Sequence, residues 1–162
     1  MTGFSSGPGD SRVVLATFVA FLVFGTVVFG FTASAHVALL QGDSVTASVT
    51  GASVNPNGTV DLVVTVRNPT IREITISNAD LEATIGKATV AREVPGAPST
   101  VTIPAGETRT MTVRMAVRDE WLTGHDVETL RRAIDDNRLH IGGYLSARLV
   151  EHQFDIGVVG RV

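Results

Sequence analysis

The sequence is that of a mostly β protein, an antiparallel β-sandwich with one short helix, preceded by a single transmembrane helix. Three observations lead to that expectation. An apolar run from Val13 to Ala35, VVLATFVAFLVFGTVVFGFTASA, carries no charge. Beyond Ser44 the apolar residues change to a period of two, the repeat of a strand with one face in a core and one in water. Turn-forming residues punctuate the alternating stretches at short intervals, the pattern of a sandwich.

The apolar run supplies the ~20 residues that a helix needs to cross a bilayer core. Inside hydrocarbon each peptide group must bond within its own segment, which an uncharged run of this length does best as a helix. Gly25 and Gly30 do not fall at the GxxxG spacing of closely paired helices. Arg12, the run and Ala33-Ser34-Ala35 also fit a cleaved signal peptide, but the run exceeds the ~7–15 residues of such a core, so an uncleaved anchor is expected. Arg12 lies on one side of it and Asp43 on the other, which places the amino terminus inside and the domain outside. The expected organisation is a flexible tail at 1–12, a transmembrane helix with a juxtamembrane extension at 13–40, and a β-sandwich domain at 44–162. The bilayer is then a partner, and the location is the cell membrane, single-pass, with an exterior domain.

Within the domain, Val60, Leu62, Val64 and Val66 alternate with Thr59, Asp61, Thr65 and Arg67, and Met111, Val113, Met115 and Val117 alternate with Thr110, Thr112 and Arg114. Further strands are expected at Val45–Val54, Ile71–Ser77, Leu81–Ile85, Ala88–Val94, Ile141–Val150 and Phe154–Val159. Asn55-Pro56-Asn57-Gly58 joins the first two strands through a tight turn, and Pro104-Ala105-Gly106-Glu107 turns the chain before the methionine strand. Val127, Leu130 and Ile134 recur at helical spacing. Thr123 is the expected cap, Asp126 completes an imperfect capping box, and Leu122 with Val127 forms a hydrophobic staple. Trp121, just before this helix, is expected to close the core.

Composition narrows the function. The 162 residues leave room for one domain, and the absence of cysteine excludes disulfides and thiolate chemistry. A net charge of −3 without a basic stripe argues against nucleic-acid binding. His36, His125, His140 and His152 show no HxxH, HxH or HExxH spacing; His140, His152 and Asp155 are the one set that strand pairing could gather, and no metal site is expected. No GxSxG elbow, GxGxxG or phosphate loop occurs, and Asp135 and Asp136 are helix neighbours that point apart, so neither catalysis nor a cofactor is expected. Asn57-Gly58-Thr59 makes Asn57 a candidate N-glycosylation site in an exposed turn. Asn68-Pro69 reads as a strand stop, and Gly142-Gly143 as a place where a strand bends or approaches its neighbour. The polar face of the helix, with Glu128, Arg131 and Arg132, is a candidate interaction patch.

Several of these segments together resemble the group-2 late embryogenesis abundant proteins, whose module is the water-stress and hypersensitive-response domain. They are the alternating strand ending in Asn68-Pro69-Thr70, the isoleucine pair Ile74 and Ile76, Leu81-Glu82-Ala83-Thr84-Ile85-Gly86, the turn Ile103–Glu107 before a threonine-rich strand, and Ile141-Gly142-Gly143-Tyr144-Leu145. The resemblance covers Val45 to Val162; the usual triplet has asparagine where this chain has Thr70. It implies a β-sandwich with one helix, linked to dehydration or other stress. Lys87 is the sole lysine beside twelve arginines, a bias of GC-rich genomes that fits a prokaryotic member, haloarchaeal or actinobacterial. The expected function is a membrane-anchored, non-catalytic stress or envelope-associated protein. The alternative is a structural subunit of a surface filament or membrane complex that binds a neighbouring protein through its exterior β-domain.

Overall fold

A computed structural model describes residues 15–26, 42–94 and 100–162. The chain divides into two compact units, Met1–Val37 and Ala38–Val162. The described part of the first is one helix, α1, residues 15–26, with Phe18, Phe21 and Phe24 exposed. Among the described residues no helix is long and apolar enough to cross a membrane. This corrects the expected single-pass anchor, the bilayer as partner and the cell-membrane location. The rest of the apolar run, the tail at 1–12, Arg12, Ala33–Ala35 and His36 lie outside the described residues.

The second unit is built from eight strands: β1 Thr46–Val54, β2 Thr59–Arg67, β3 Ile74–Ile85, β4 Ala88–Glu93, β5 Val101–Ile103, β6 Thr108–Val117, β7 Leu139–Leu149 and β8 His152–Arg161. Two helices, α2 Asp119–Leu122 and α3 Val127–Asp135, lie between β6 and β7. Hydrogen bonding runs β4-β6-β2-β1-β8-β7-β3, and β3 pairs back onto β4. Seven strands thus form a closed barrel, with β5 attached to β3 alone.

The expected sandwich is therefore replaced by a barrel, for a specific reason. Residues 71–77 and 81–85 looked like two strands, yet β3 is a single strand of 12 residues. One edge takes β7 along its whole length, and the other takes β5 at Ile74–Ile76 and β4 at Glu82–Ile85. Because β4 also borders β6, its pairing with β3 joins what would have been two sheets. On the far side β1 meets β8 in parallel through Ala47 and Val158. The alternation was read correctly: Val60, Leu62, Val64, Val66, Val113 and Met115 have no exposed surface. A barrel and a sandwich share that inward and outward alternation.

The short helices also differ from expectation. Asp126, not Thr123, caps α3: its Oδ1 accepts the Thr129 N–H at 2.7 Å, a first-turn donor that would otherwise be orphaned. Thr123 instead ends α2, donating its hydroxyl to the Asp119 carbonyl at 2.9 Å. Leu130 and Ala133 bury the inner side of α3. Trp121 is 9% exposed and stacks on His125 with ring centroids 4.6 Å apart.

Asn68 does more than stop a strand. It has no exposed surface, and its Nδ2 donates to the carbonyls of Arg72 (2.8 Å), Ile103 (3.0 Å) and Pro104 (3.0 Å). Its Oδ1 accepts the Thr70 N–H at 3.1 Å, and its own N–H donates to the Glu107 carbonyl at 2.8 Å. Replacing Asn68 with alanine keeps the N–H bond to Glu107 but leaves the four side-chain partners without theirs, and each unmade bond costs ~1–3 kcal/mol. Asn68→Ala is expected to lose at least about 3 kcal/mol, read as a lower denaturant midpoint at unchanged slope.

Candidate functional site

The outer wall formed by β3, β7 and β8 carries a groove of about 490 Å³. Asp80, Glu82 and Thr84 point outward from β3, alternating with buried Ala79, Leu81 and Ala83. Register sets Tyr144 opposite Asp80, and His140 opposite Thr84. Between Glu82 and Val159 the paired residue is Gly142, which has open space where a side chain would be and so leaves the floor bare. Gly143 differs from its neighbour: at φ 140°, a Cβ there would lie 2.0 Å from the Asp80 carbonyl oxygen. That close approach requires glycine and seats β7 against β3 beside the groove.

Negative charge dominates this part of the wall. The Tyr144 hydroxyl faces Asp80 across the strands, and the carboxylate of Asp80, then the charge of Asp155, raises its pKa above the ordinary phenol value. Glu82 accepts from the Thr89 hydroxyl and from Arg92 at 3.0 Å, and these partners lower its pKa, the Thr89 bond most. Asp155 accepts the Ser146 hydroxyl at 2.9 Å, a cross-strand bond with no histidine in it.

One acid lies on the other side of the wall. Glu93 is paired with Met115, and directly opposed residues share a face, so its side chain is directed inward. There β3 residues 77–81 have no strand on that edge, between the end of its pairing with β5 and the start of its pairing with β4. Glu93 Oε1 is buried without a hydrogen-bond partner. Burial, then the charge of Asp80, raises its pKa to about 7.

The residues singled out from sequence are dispersed. His140 and His152 sit at opposite ends of the β7–β8 pair, facing Arg161 and Leu149 respectively, which puts roughly 30 Å of strand between them. Among the described residues no group of three His, Cys, Asp or Glu is placed to hold a metal ion. Asn57 is exposed, and its Oδ1 accepts the Thr59 hydroxyl at 2.8 Å and the Thr59 N–H at 3.3 Å. Glu128, Arg131 and Arg132 share the exposed side of α3, where Arg131 binds Glu128 at 2.6 Å and Arg132 reaches the Thr129 hydroxyl at 3.3 Å. Sequence reasoning missed Asp80, Glu82, Tyr144 and Glu93 as a group. The sole usable signal was an acid every second residue on a strand, which is equally the mark of a solvated face.

Two titrations test this geometry. Tyr144 is the only tyrosine, so phenolate absorbance reports it alone. Asp80→Asn is expected to lower its midpoint, and an unchanged midpoint would mean that Asp80 does not act on the hydroxyl. For Glu93 the folded pKa of about 7 stands above the ordinary glutamate value of 4.5. Its ionisation therefore opposes folding: the associated stability is complete below pH 4.5 and is lost as pH rises to about 7. Glu93→Gln is expected to match the parent in thermal midpoint below that interval and to exceed it above.

No family model matches the sequence, and no curated protein is significantly similar to it. Three solved structures overlap it: a protein from Archaeoglobus fulgidus (14% identity, TM-score 0.47, covering 73% of this chain and 91% of that one); a structural-genomics target (12%, 0.41, 73% and 80%); and the Bordetella pertussis protein designated ApaA (13%, 0.44, 73% and 89%). At this distance none of the three lends anything to a functional reading. The comparisons do not return the late embryogenesis abundant family.

Proposed function

We propose that this chain is a non-catalytic protein that acts through the surface of its β-barrel, in the protective manner that likeness to the water-stress and hypersensitive-response domain implies. The observation that supports the reading is the Asn68 lock. The resemblance rested on an Asn-Pro strand end and an Ile-Pro-Ala-Gly-Glu turn well separated in sequence. In the structure these two segments meet, joined by the Asn68 amide and by the Gly106 N–H donating to the Thr70 carbonyl at 3.2 Å. The motif pair thus has a physical basis as one structural unit, and Thr70 serves it in place of the family's asparagine by donating its hydroxyl to the Arg72 carbonyl at 2.7 Å.

A second reading, a structural subunit that grips a neighbouring protein, draws on the uncovered Tyr144 groove and on the charged side of α3. The two readings differ in stoichiometry and in sensitivity to single residues, because a specific contact concentrates its energy in a few side chains. The protective role is expected to limit aggregation of a heated client enzyme at near-equimolar ratio, with the effect unchanged by charge reversal at Arg131 and Arg132. It is overturned if client aggregation is unaffected while one partner is captured and charge reversal releases it.

A further inference from the structure

At the end of the barrel away from Asn68, a second concavity of about 360 Å³ is lined by Arg138, His140 and Arg161, together with Ile85, Gly86 and Asn137. It is formed where three chain segments converge: the β3–β4 turn, the exit from α3, and the β7–β8 pair. His140 and Arg161 are directly opposed across β7 and β8, so both side chains occupy one face, and both are exposed. No acid lines the concavity.

The donors are also available. The side chains of Arg161 and His140 make no hydrogen bond or ion pair among the described residues. Arg138 uses one nitrogen, Nη2, on Asp136 at 3.1 Å and retains its other donors. Lys87, the chain's only lysine, follows Gly86 in the adjoining turn. Asp136, held by Arg138, and Glu82, which with His140 lines the neighbouring groove, are the acids that flank the concavity. The backbone N–H groups of Asn137 and Arg138 are consumed in closing α3, donating to the carbonyls of Ile134 and Ala133 at 2.8 Å. Recognition at this concavity therefore falls to side chains.

We propose that this end of the barrel binds a phosphate group, held by the guanidinium groups of Arg161 and Arg138 with His140 as the third donor. Arginine presents a planar fork that matches phosphate oxygens in pairs. A histidine beside a dianion takes up a proton and adds a further charge-assisted bond. At about 360 Å³ the concavity is large enough for a phosphomonoester. The inference stands apart from the protective reading and uses none of its residues.

The test is an NMR titration of the full chain with inorganic phosphate, against sodium chloride at equal ionic strength. A phosphomonoester, glycerol phosphate, forms a second arm that separates a free anion from an esterified headgroup. Saturable shifts are expected at the Arg161 and Arg138 side-chain N–H groups, at the Gly86 amide and at the His140 ring protons. Arg161→Gln should weaken binding about tenfold or more. Arg148→Gln, which removes an exposed arginine at the other end of β7, should leave binding unchanged. Linear shifts spread over all arginines, or equal effects of the two substitutions, would reduce the observation to a counter-ion atmosphere and overturn the proposal. Absence of any His140 response would overturn its role as third donor.

Discussion

Asn68, just past the end of β2, is a buried polar side chain on which three further segments depend. The loop leading to β3, β5 and the turn before β6 all direct carbonyls or N–H groups at its amide or backbone. Apolar packing could not hold these segments in place, because their peptide groups are withdrawn from water and need partners. A carboxamide suits the position because it offers donors on one side and an acceptor on the other. Once the turn before β6 is fixed, β6 is delivered to β2 in register from Thr59 against Ala116 to Arg67 against Thr108.

Closure of the barrel depends on length and on close approach. A shorter β3 could not hold β5 and β4 on one edge while pairing with β7 on the other, and the structure would divide into two sheets. The seam between β1 and β8 is the narrow one, with Ala47 and Val158 as its bridge. Gly160 allows it: a Cβ at that position would lie 2.7 Å from the Cβ of Val49. Removing the side chain from one strand lets the other pack against bare backbone, which compensates for sparse hydrogen bonding.

The outer wall of β3, β7 and β8 is electrically graded. Asp155, Asp80 and Glu82 occupy successive rows, and the gradient ends at His140 and Arg161. Acidic and basic concavities therefore share one wall, with His140 lining both. Such an arrangement orients a dipolar or charged ligand along the strands even though the chain's net charge is small. Across the same wall, Glu93 faces the interior and is pushed toward its neutral form by burial and by Asp80, so the outer acids also act on the core.

Local chemistry determined a large part of this protein. The alternation of Val60–Val66 and Met111–Val117 specified which residues are buried, because a strand's side chains switch faces at every residue. The turn at Asn55–Gly58, the helix built on Val127, Leu130 and Ile134, and the structural character of Asn68-Pro69 were legible on the same local grounds. The closing of the sheet was not: it depends on which edges meet, and alternation records the face of a residue, not the neighbour of its strand. The helix cap moved from Thr123 to Asp126 because two adjacent signals competed and α2 claimed the threonine. The apolar run from Val13 was read by composition as a membrane span, whereas the described helix within it covers residues 15–26. The groove and the basic concavity are products of register. Asp80 and Tyr144, or His140 and Arg161, are remote in sequence, and antiparallel pairing alone placed them side by side, since no local preference couples residues on different strands.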